Sequence, residues 1–211
     1  MKISIPLLST AVGLTLMHGA IAADLSNSDE RFLRKAGESG MLEMQASELA
    51  QQKSQHPEIK RYAELMIKDH SAADKELKAL AKSKGFQLPV ELERGKKRLM
   101  EDLRQLDGPS FDEEYADEIA VDAHEDAVEL FEDAADDADD ADIKAFAAKT
   151  LPVLQKHLDM GRELEDMIDD EDRGDRGDRR TGRDQPAAPQ AAPTKEGTVV
   201  VPGTTPGVGT K

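Results

Sequence analysis

One glutamate and three histidines in this chain have the types and the spacing that indicate metal chemistry: Glu43, His70, His124 and His157. The first two lie at nearly equal sequence distances from a break at residues 55–57, and the last two at equal distances from a break at residues 140–141. If each break is a turn between antiparallel helices, each pair falls at one height near the middle of a helical bundle. Bundles bring metal ligands together in this way.

These four side chains offer three nitrogens and one oxygen, which predicts a site for one divalent transition metal ion. Imidazole binds zinc, copper and iron well, and a carboxylate adds harder character. Asp74, four residues after His70 on the same helix face, is the better candidate for a supporting carboxylate. Asp69 and Glu125 point about 100° away from the histidines beside them. The alternative interpretation is that the histidines are structural residues with ordinary buried hydrogen bonds.

The sequence contains no motif that is typical of other metal sites or of catalysis. Carboxylate di-iron bundles carry Glu-x-x-His on two helices, whereas the residues three positions before the histidines are Ile67, Val121 and Leu154. The chain contains no cysteine, which excludes disulfides, thiolate metal sites and covalent haem. No glycine-rich phosphate loop, nucleophile elbow or His-Glu-x-x-His motif occurs. The sequence therefore favours a protein that is not an enzyme.

The chain divides into three segments by composition. Residues 1–23 read as a signal peptide, with Lys2, an apolar run and an Ala20-Ile21-Ala22 cleavage site. We therefore expect export, to the periplasm of a Gram-negative cell or to the medium, with no stable membrane insertion after cleavage. Residues 24–169 hold the helical domain. Residues 170–211 are low in complexity and predict a disordered tail.

Acidic residues dominate the third long helix of the domain. Sixteen of the 44 Asp and Glu residues fall between Asp112 and Asp142, a stretch without Lys or Arg, and the formal net charge of the chain is −16. Such a surface repels phosphate backbones, so we expect no nucleic-acid partner. Nothing in the sequence identifies a protein partner.

Hydrophobic periodicity predicts four long helices and one short one. The first begins near Ser28 with Asn27 or Ser28 as N-cap, and the second begins at Pro57 after His56 and ends at Gly85. A connector from residue 87 to 108 contains a shorter helix opened by Pro89. The third long helix opens with a Ser110–Glu113 capping box. The fourth contains Pro152, which bends it shortly before His157.

Several of these segments together resemble the bacterial family called domain of unknown function 4142. The resemblance covers about residues 30–167 and rests on Gly40-Met41-Leu42-Glu43-Met44, Asp69-His70-Ser71, Leu88-Pro89, Phe111-Asp112-x-x-Tyr115 with His124, and Leu151-Pro152-x-Leu154-x-x-His157-Leu158. It implies an exported bundle of the ferritin-like kind, and it implies no activity. The expected fold is an all-α, ferritin-like antiparallel four-helix bundle with a short extra connector helix.

Two functions fit these observations best, and a third, a metal-dependent redox enzyme, would need an open coordination position. The first is an exported bundle that holds a zinc, copper or iron ion in its core through Glu43, His70, His124 and His157. The second is a non-catalytic envelope-stress or interaction protein in which these histidines are structural. Ligand atoms converging on one point would favour the first, and histidines bonded to separate backbone carbonyls would favour the second.

Overall fold

All of the regular secondary structure in the described part of the chain is helical. The computed structural model describes residues 24–181, and these residues contain no strand. The predicted signal peptide (1–23) and most of the predicted tail (182–211) lie outside this range. The helical segments are α1 (Asn27–Lys53), α2 (Pro57–Ser83), α3 (Arg94–Gln105), α4 (Pro109–Glu114), a π-helical segment (Tyr115–Asp122), α5 (Ala123–Asp137) and α6 (Ala141–Thr181).

The predicted four-helix bundle with a short extra helix is confirmed. Short turns join α1 to α2 and α5 to α6, and the helices of each pair pack against each other. The segments from Pro109 to Asp137 follow one another without a break and form the third long helix of the bundle. The short helix, α3, packs on α1 and buries Met100 and Leu103. None of the described helices is long and apolar enough to cross a membrane.

Local signals set most helix ends where the sequence predicts them. His56 is the N-cap of α2, and its Nδ1 accepts a hydrogen bond from the Glu58 amide. Gly85 follows the end of α2 with a φ of 71°, a conformation that favours glycine. The N-cap of α1 is Ser26, one residue before the predicted Asn27, and its hydroxyl accepts from the Asp29 amide at 3.1 Å.

Three helix boundaries differ from the prediction. The short helix begins at Arg94 and not at Pro89, so Leu92 packs into the core from the loop before it. The Ser110–Glu113 capping box does not form, because Gly108, with a φ of 57°, is the residue that precedes α4. The last helix continues to Thr181, past the predicted end near Ile168, and Arg173 pairs with Asp169 and Asp170 along it.

The core consists of two apolar clusters with a polar layer between them. One cluster is centred on Tyr62, Phe111 and Tyr115, and the other on Phe32, Phe131 and Phe146. Along α2, α6 and the third long helix, the residues of the two clusters are separated by a histidine, and on α1 Glu43 directly follows Leu42 of the first cluster. The buried polar layer at that height contains Glu43, His70, His124 and His157.

The π-helical segment is the irregular element nearest to that layer. It ends two residues before His124, and the sequence pattern does not indicate it. Gly161 of α6 lies directly on its backbone: a Cβ built on Gly161 would stand 2.0 Å from the Ala120 carbonyl oxygen. Only a glycine permits this approach, which brings α6 and the π-helical segment together one helical turn from His157.

Candidate metal centre

Three histidines from three different helices meet in the middle of the bundle. One ring nitrogen from each of His70, His124 and His157 lies within 4.8 Å of the other two. The ring centroids are 5.5 Å apart for His70 and His124, 5.3 Å for His70 and His157, and 5.6 Å for His124 and His157. The imidazoles therefore form a nearly equilateral triangle, and we call these three residues the histidine triad.

Each triad histidine has one ring nitrogen with a protein partner and one without. The nitrogens without a partner among the described residues are Nε2 of His70, Nε2 of His124 and Nδ1 of His157. All three are buried, and a buried polar atom without a hydrogen bond costs about 1–3 kcal/mol. Three such atoms on converging rings suit a single shared ligand.

The partners of the other nitrogens fix which nitrogen of each ring carries the proton. Nδ1 of His70 lies 2.9 Å from Glu43 Oε2, Nδ1 of His124 lies 2.9 Å from the Ile119 carbonyl, and Nε2 of His157 lies 3.2 Å from Asp69 Oδ2. Carboxylates and carbonyls accept hydrogen bonds, so each of these nitrogens donates. In the neutral rings the opposite nitrogens therefore carry lone pairs, which is the form that binds metal ions.

Glu43 lies behind His70 and is buried, with a hydrogen bond from the Ser39 hydroxyl at 3.3 Å. Burial raises the pKa of its carboxyl. The charges of His70 and His124 and the hydrogen bonds from His70 and Ser39 outweigh burial and lower the pKa to about 2. Burial lowers the pKa of His70, but the negative charge of Glu43, the hydrogen bond to Glu43 and the charge of Asp69 together outweigh burial and raise it. Glu43 is thus a fixed anion that holds one triad imidazole.

His124 is held by the irregular helix that precedes it. The Ile119 carbonyl belongs to the π-helical segment, five residues before His124, and accepts from its Nδ1. Burial and the neighbouring His70 lower the pKa of His124, against the opposing effects of Glu43 and the Ile119 carbonyl. This histidine is fully buried and neutral, so its Nε2 lone pair is available to an ion.

His157 takes its support from the second helix. Asp69 of α2 reaches across to α6 and accepts from Nε2 of His157, while its own side chain is 29% exposed. Burial and the other two triad imidazoles lower the pKa of His157 to about 4, although Asp69 opposes this shift. The Tyr62 hydroxyl contacts the carbonyl oxygens of His157 and Ala120, at 3.2 and 3.3 Å, and so joins α6 to the π-helical segment.

The four predicted site residues share one layer, but they do not play one role. The three histidines converge, whereas Glu43 contacts the far nitrogen of His70 and does not belong to the triad. The preference for Asp74 over Asp69 is wrong in this structure. Asp74 pairs with Lys78, and Asp69 supports His157 of another helix. A search for partners on the same helix misses such a contact, because its geometry depends on how two helices pack.

The arrangement can hold one ion by three nitrogens with further positions open. Metal–nitrogen bonds of about 2.0–2.1 Å place the ligand atoms of a tetrahedral ion about 3.4 Å apart, so small ring movements would close the triad around it. The carboxylates of Glu43 and Asp69 lie one imidazole away and would balance the charge of a divalent ion. Such carboxylate–histidine pairs orient metal ligands and raise their basicity.

Comparison with known proteins places the chain among helical bundles. The family described as "Domain of unknown function (DUF4142)" matches residues 15–164. A solved structure described as "CopM in the Cu(II)-bound form" superposes with a TM-score of 0.55 at 17% sequence identity, over 65% of this chain and 95% of that one. At this identity the likeness concerns the fold. No curated protein sequence matches the chain.

Proposed function

The chain belongs to the family of the domain of unknown function (DUF4142), and we propose that it is an exported helical bundle that binds a single copper ion through His70, His124 and His157. In this proposal Glu43 and Asp69 are not ligands but hold the rings of His70 and His157. The bundle keeps the ion away from solvent, as a protein that stores or buffers copper requires. The predicted signal peptide, residues 1–23, supports export.

One observation carries the proposal: the three rings converge, with one nitrogen of each within 4.8 Å of the other two, and each ring has one buried nitrogen without a protein partner among the described residues. Structural histidines satisfy both ring nitrogens, because each unsatisfied one reduces stability. Here only the outer nitrogen of each ring has a hydrogen-bond partner, which is a carboxylate or a carbonyl. An ion in the centre would satisfy the other three at once.

The donor set favours copper over iron. Three imidazoles without a carboxylate form a nitrogen-only set, which suits copper, zinc and nickel better than hard ions. Among divalent ions at such a site, copper binds most tightly. The fold likeness to a bundle described in a Cu(II)-bound form supports the same choice. Zinc is the next candidate, because a three-histidine site with an open fourth position also suits it.

Metal content of the untagged mature protein, residues 24–211, tests the proposal. After incubation with copper and removal of excess, mass spectrometry should find one copper per chain. His70→Ala and His157→Ala should lose it, and His56→Ala, which removes a histidine outside the triad, should keep it. If copper, zinc and iron all stay at background in the parent, the proposal fails and the triad is structural, as in a non-catalytic interaction protein.

A further inference from the structure

A small cavity lies beside the triad, between the first and second helices and the apolar cluster around Phe131. It measures about 30 Å³, room for one or two water molecules. Its wall includes Gly37, Gly40, Glu43 and His70, and it includes neither His124 nor His157. His70 is therefore the triad residue that borders the cavity.

Gly40 borders this cavity without a structural reason to be glycine. It lies inside α1, has no positive φ, and a Cβ built on it would meet no atom within 4 Å. Glycine in a helix interior is less favourable than alanine by about 1 kcal/mol. Gly161 shows the contrast, since a Cβ there would strike the Ala120 carbonyl. What Gly40 contributes is open space on the outer side of the Glu43–His70 pair.

The polar groups along this space suit the passage of a cation. Asp74, with its side chain 26% exposed, lines the cavity on α2. Glu43, 1% exposed, and Ser39 line it further in, and His70 is the first triad residue that an ion would meet. A carboxylate near the surface, a buried carboxylate and then a ligand form a graded path for a positive charge.

We propose that the cavity at Gly40 is the route by which the ion enters and leaves the histidine triad. This inference rests on the proposed function, because it concerns access to the same site. The ion passes between α1 and α2, and the His70 side chain turns to admit it to the space shared with His124 and His157. The route controls how fast the ion enters and leaves, whereas the triad determines how tightly the ion is bound.

A side chain that fills the cavity should slow uptake and release together. In Gly40→Leu we expect both rate constants to fall about tenfold or more, with the dissociation constant unchanged, because a blocked path alters access and not the bound state. Ala73→Leu fills the cavity from the opposite helix and should act in the same way. Gly95→Leu is the matched control, since Gly95 lies in α3 outside the cavity and a Cβ there would meet only the Glu93 side chain, at 3.8 Å.

Stopped-flow mixing with Cu²⁺ provides the measurement, and a chelator provides the release rate. The chain has two tyrosines and no tryptophan, and the Tyr62 ring lies 6.2 Å from that of His124. A bound copper ion should therefore quench the tyrosine fluorescence. Thermal unfolding establishes that each variant is folded before its rates are compared.

The outcomes separate this inference from the proposed function. Slower exchange at constant affinity in either folded cavity variant, with normal rates in Gly95→Leu, supports the route. Parent-like rates in a folded cavity variant, or equal slowing in Gly95→Leu, overturn the route and leave the copper site standing. A parent protein that binds no copper overturns the proposed function and the route with it.

Discussion

Each triad histidine depends on a neighbour that contacts the ring from outside. Glu43 and Asp69 accept from His70 and His157, and the Ile119 carbonyl accepts from His124. These contacts settle the tautomer of each ring and the direction of its lone pair. The affinity of the site therefore belongs to these outer partners as well as to the imidazoles.

Removing the charge of Glu43 tests this dependence. Glu43→Gln keeps an oxygen that can accept from His70 Nδ1 but loses the negative charge, so we expect copper affinity to fall about tenfold or more. The binding stoichiometry should remain one. The copper(II) EPR spectrum should still show coupling to three nitrogens, since Glu43 is not a ligand in our proposal. Competition titration against a chelator of known affinity measures the change.

The same titration on Asp74→Asn serves as the control, because Asp74 is a carboxylate of the same neighbourhood that pairs with Lys78. Its affinity should match the parent. Loss of a ligand from the EPR pattern in Glu43→Gln would show that Glu43 binds the ion directly, as the sequence alone suggests. An unchanged affinity would remove its supporting role.

At the scale of the helices, the close approach of α6 to the π-helical segment positions two of the three ligands. Gly161 lies one turn after His157, and Ala120 lies four residues before His124. The Tyr62 hydroxyl contacts the Ala120 and His157 carbonyls and so links the same two segments at this junction of α6 and the π-helical segment. The junction therefore sets the distance between His124 and His157.

A methyl group at two glycines should have opposite effects. Gly161→Ala places a Cβ 2.0 Å from the Ala120 carbonyl oxygen, which forces the helices apart and should lower the free energy of unfolding by about 3 kcal/mol. Gly40→Ala meets open space and should raise it by up to about 1 kcal/mol. Urea unfolding followed by circular dichroism compares them. Equal effects would mean that the junction adapts freely to the added methyl group.

The sequence predicts the helices of this bundle better than it predicts their contacts. Hydrophobic periodicity and the breaks near His56 and Asp140 suffice to place the three histidines in one layer, since helix rise per residue is constant. The π-helical segment is missed, because it breaks no apolar stripe and depends on packing against α6. The role of Asp69 is missed for a similar reason: its partner, His157, belongs to another helix.

For the molecule as a whole, the polar layer divides the core and reduces its apolar content at mid-height. Several titratable groups there change their protonation on unfolding, so the stability of the metal-free bundle depends on pH. The acidic surface has its own pH dependence, since lowering the pH towards the isoelectric point of about 4.7 relieves the repulsion of a chain with net charge −16. An informative experiment must separate these two effects.

His157 should make the metal-free bundle less stable in mild acid. Its pKa is about 4 in the fold against 6.5 in the unfolded chain, so below pH 6.5 protons favour unfolding. The stability that it contributes is complete above pH 6.5 and is lost by about pH 4, a loss of about 3 kcal/mol. His124, with a lowered pKa, adds a loss in the same direction. The pKa of His70 is raised, so His70 changes the free energy of unfolding only above pH 6.5 and does not offset this loss.

A pair of variants isolates this contribution from the surface charge. The free energy of unfolding, measured by urea titration with chelator present, should fall more steeply from pH 7 to pH 4 in the parent than in His157→Leu, because the variant has no proton to gain at that position. The acidic surface is the same in both and cancels in the difference. The contribution of Glu43, lost below its unfolded pKa of 4.5, cancels as well, because its pKa of about 2 is set by neighbours other than His157. His56→Asn keeps the α2 N-cap and should follow the parent. A parent-to-variant difference that stays constant from pH 7 to pH 4 would show that His157 does not titrate below its ordinary range.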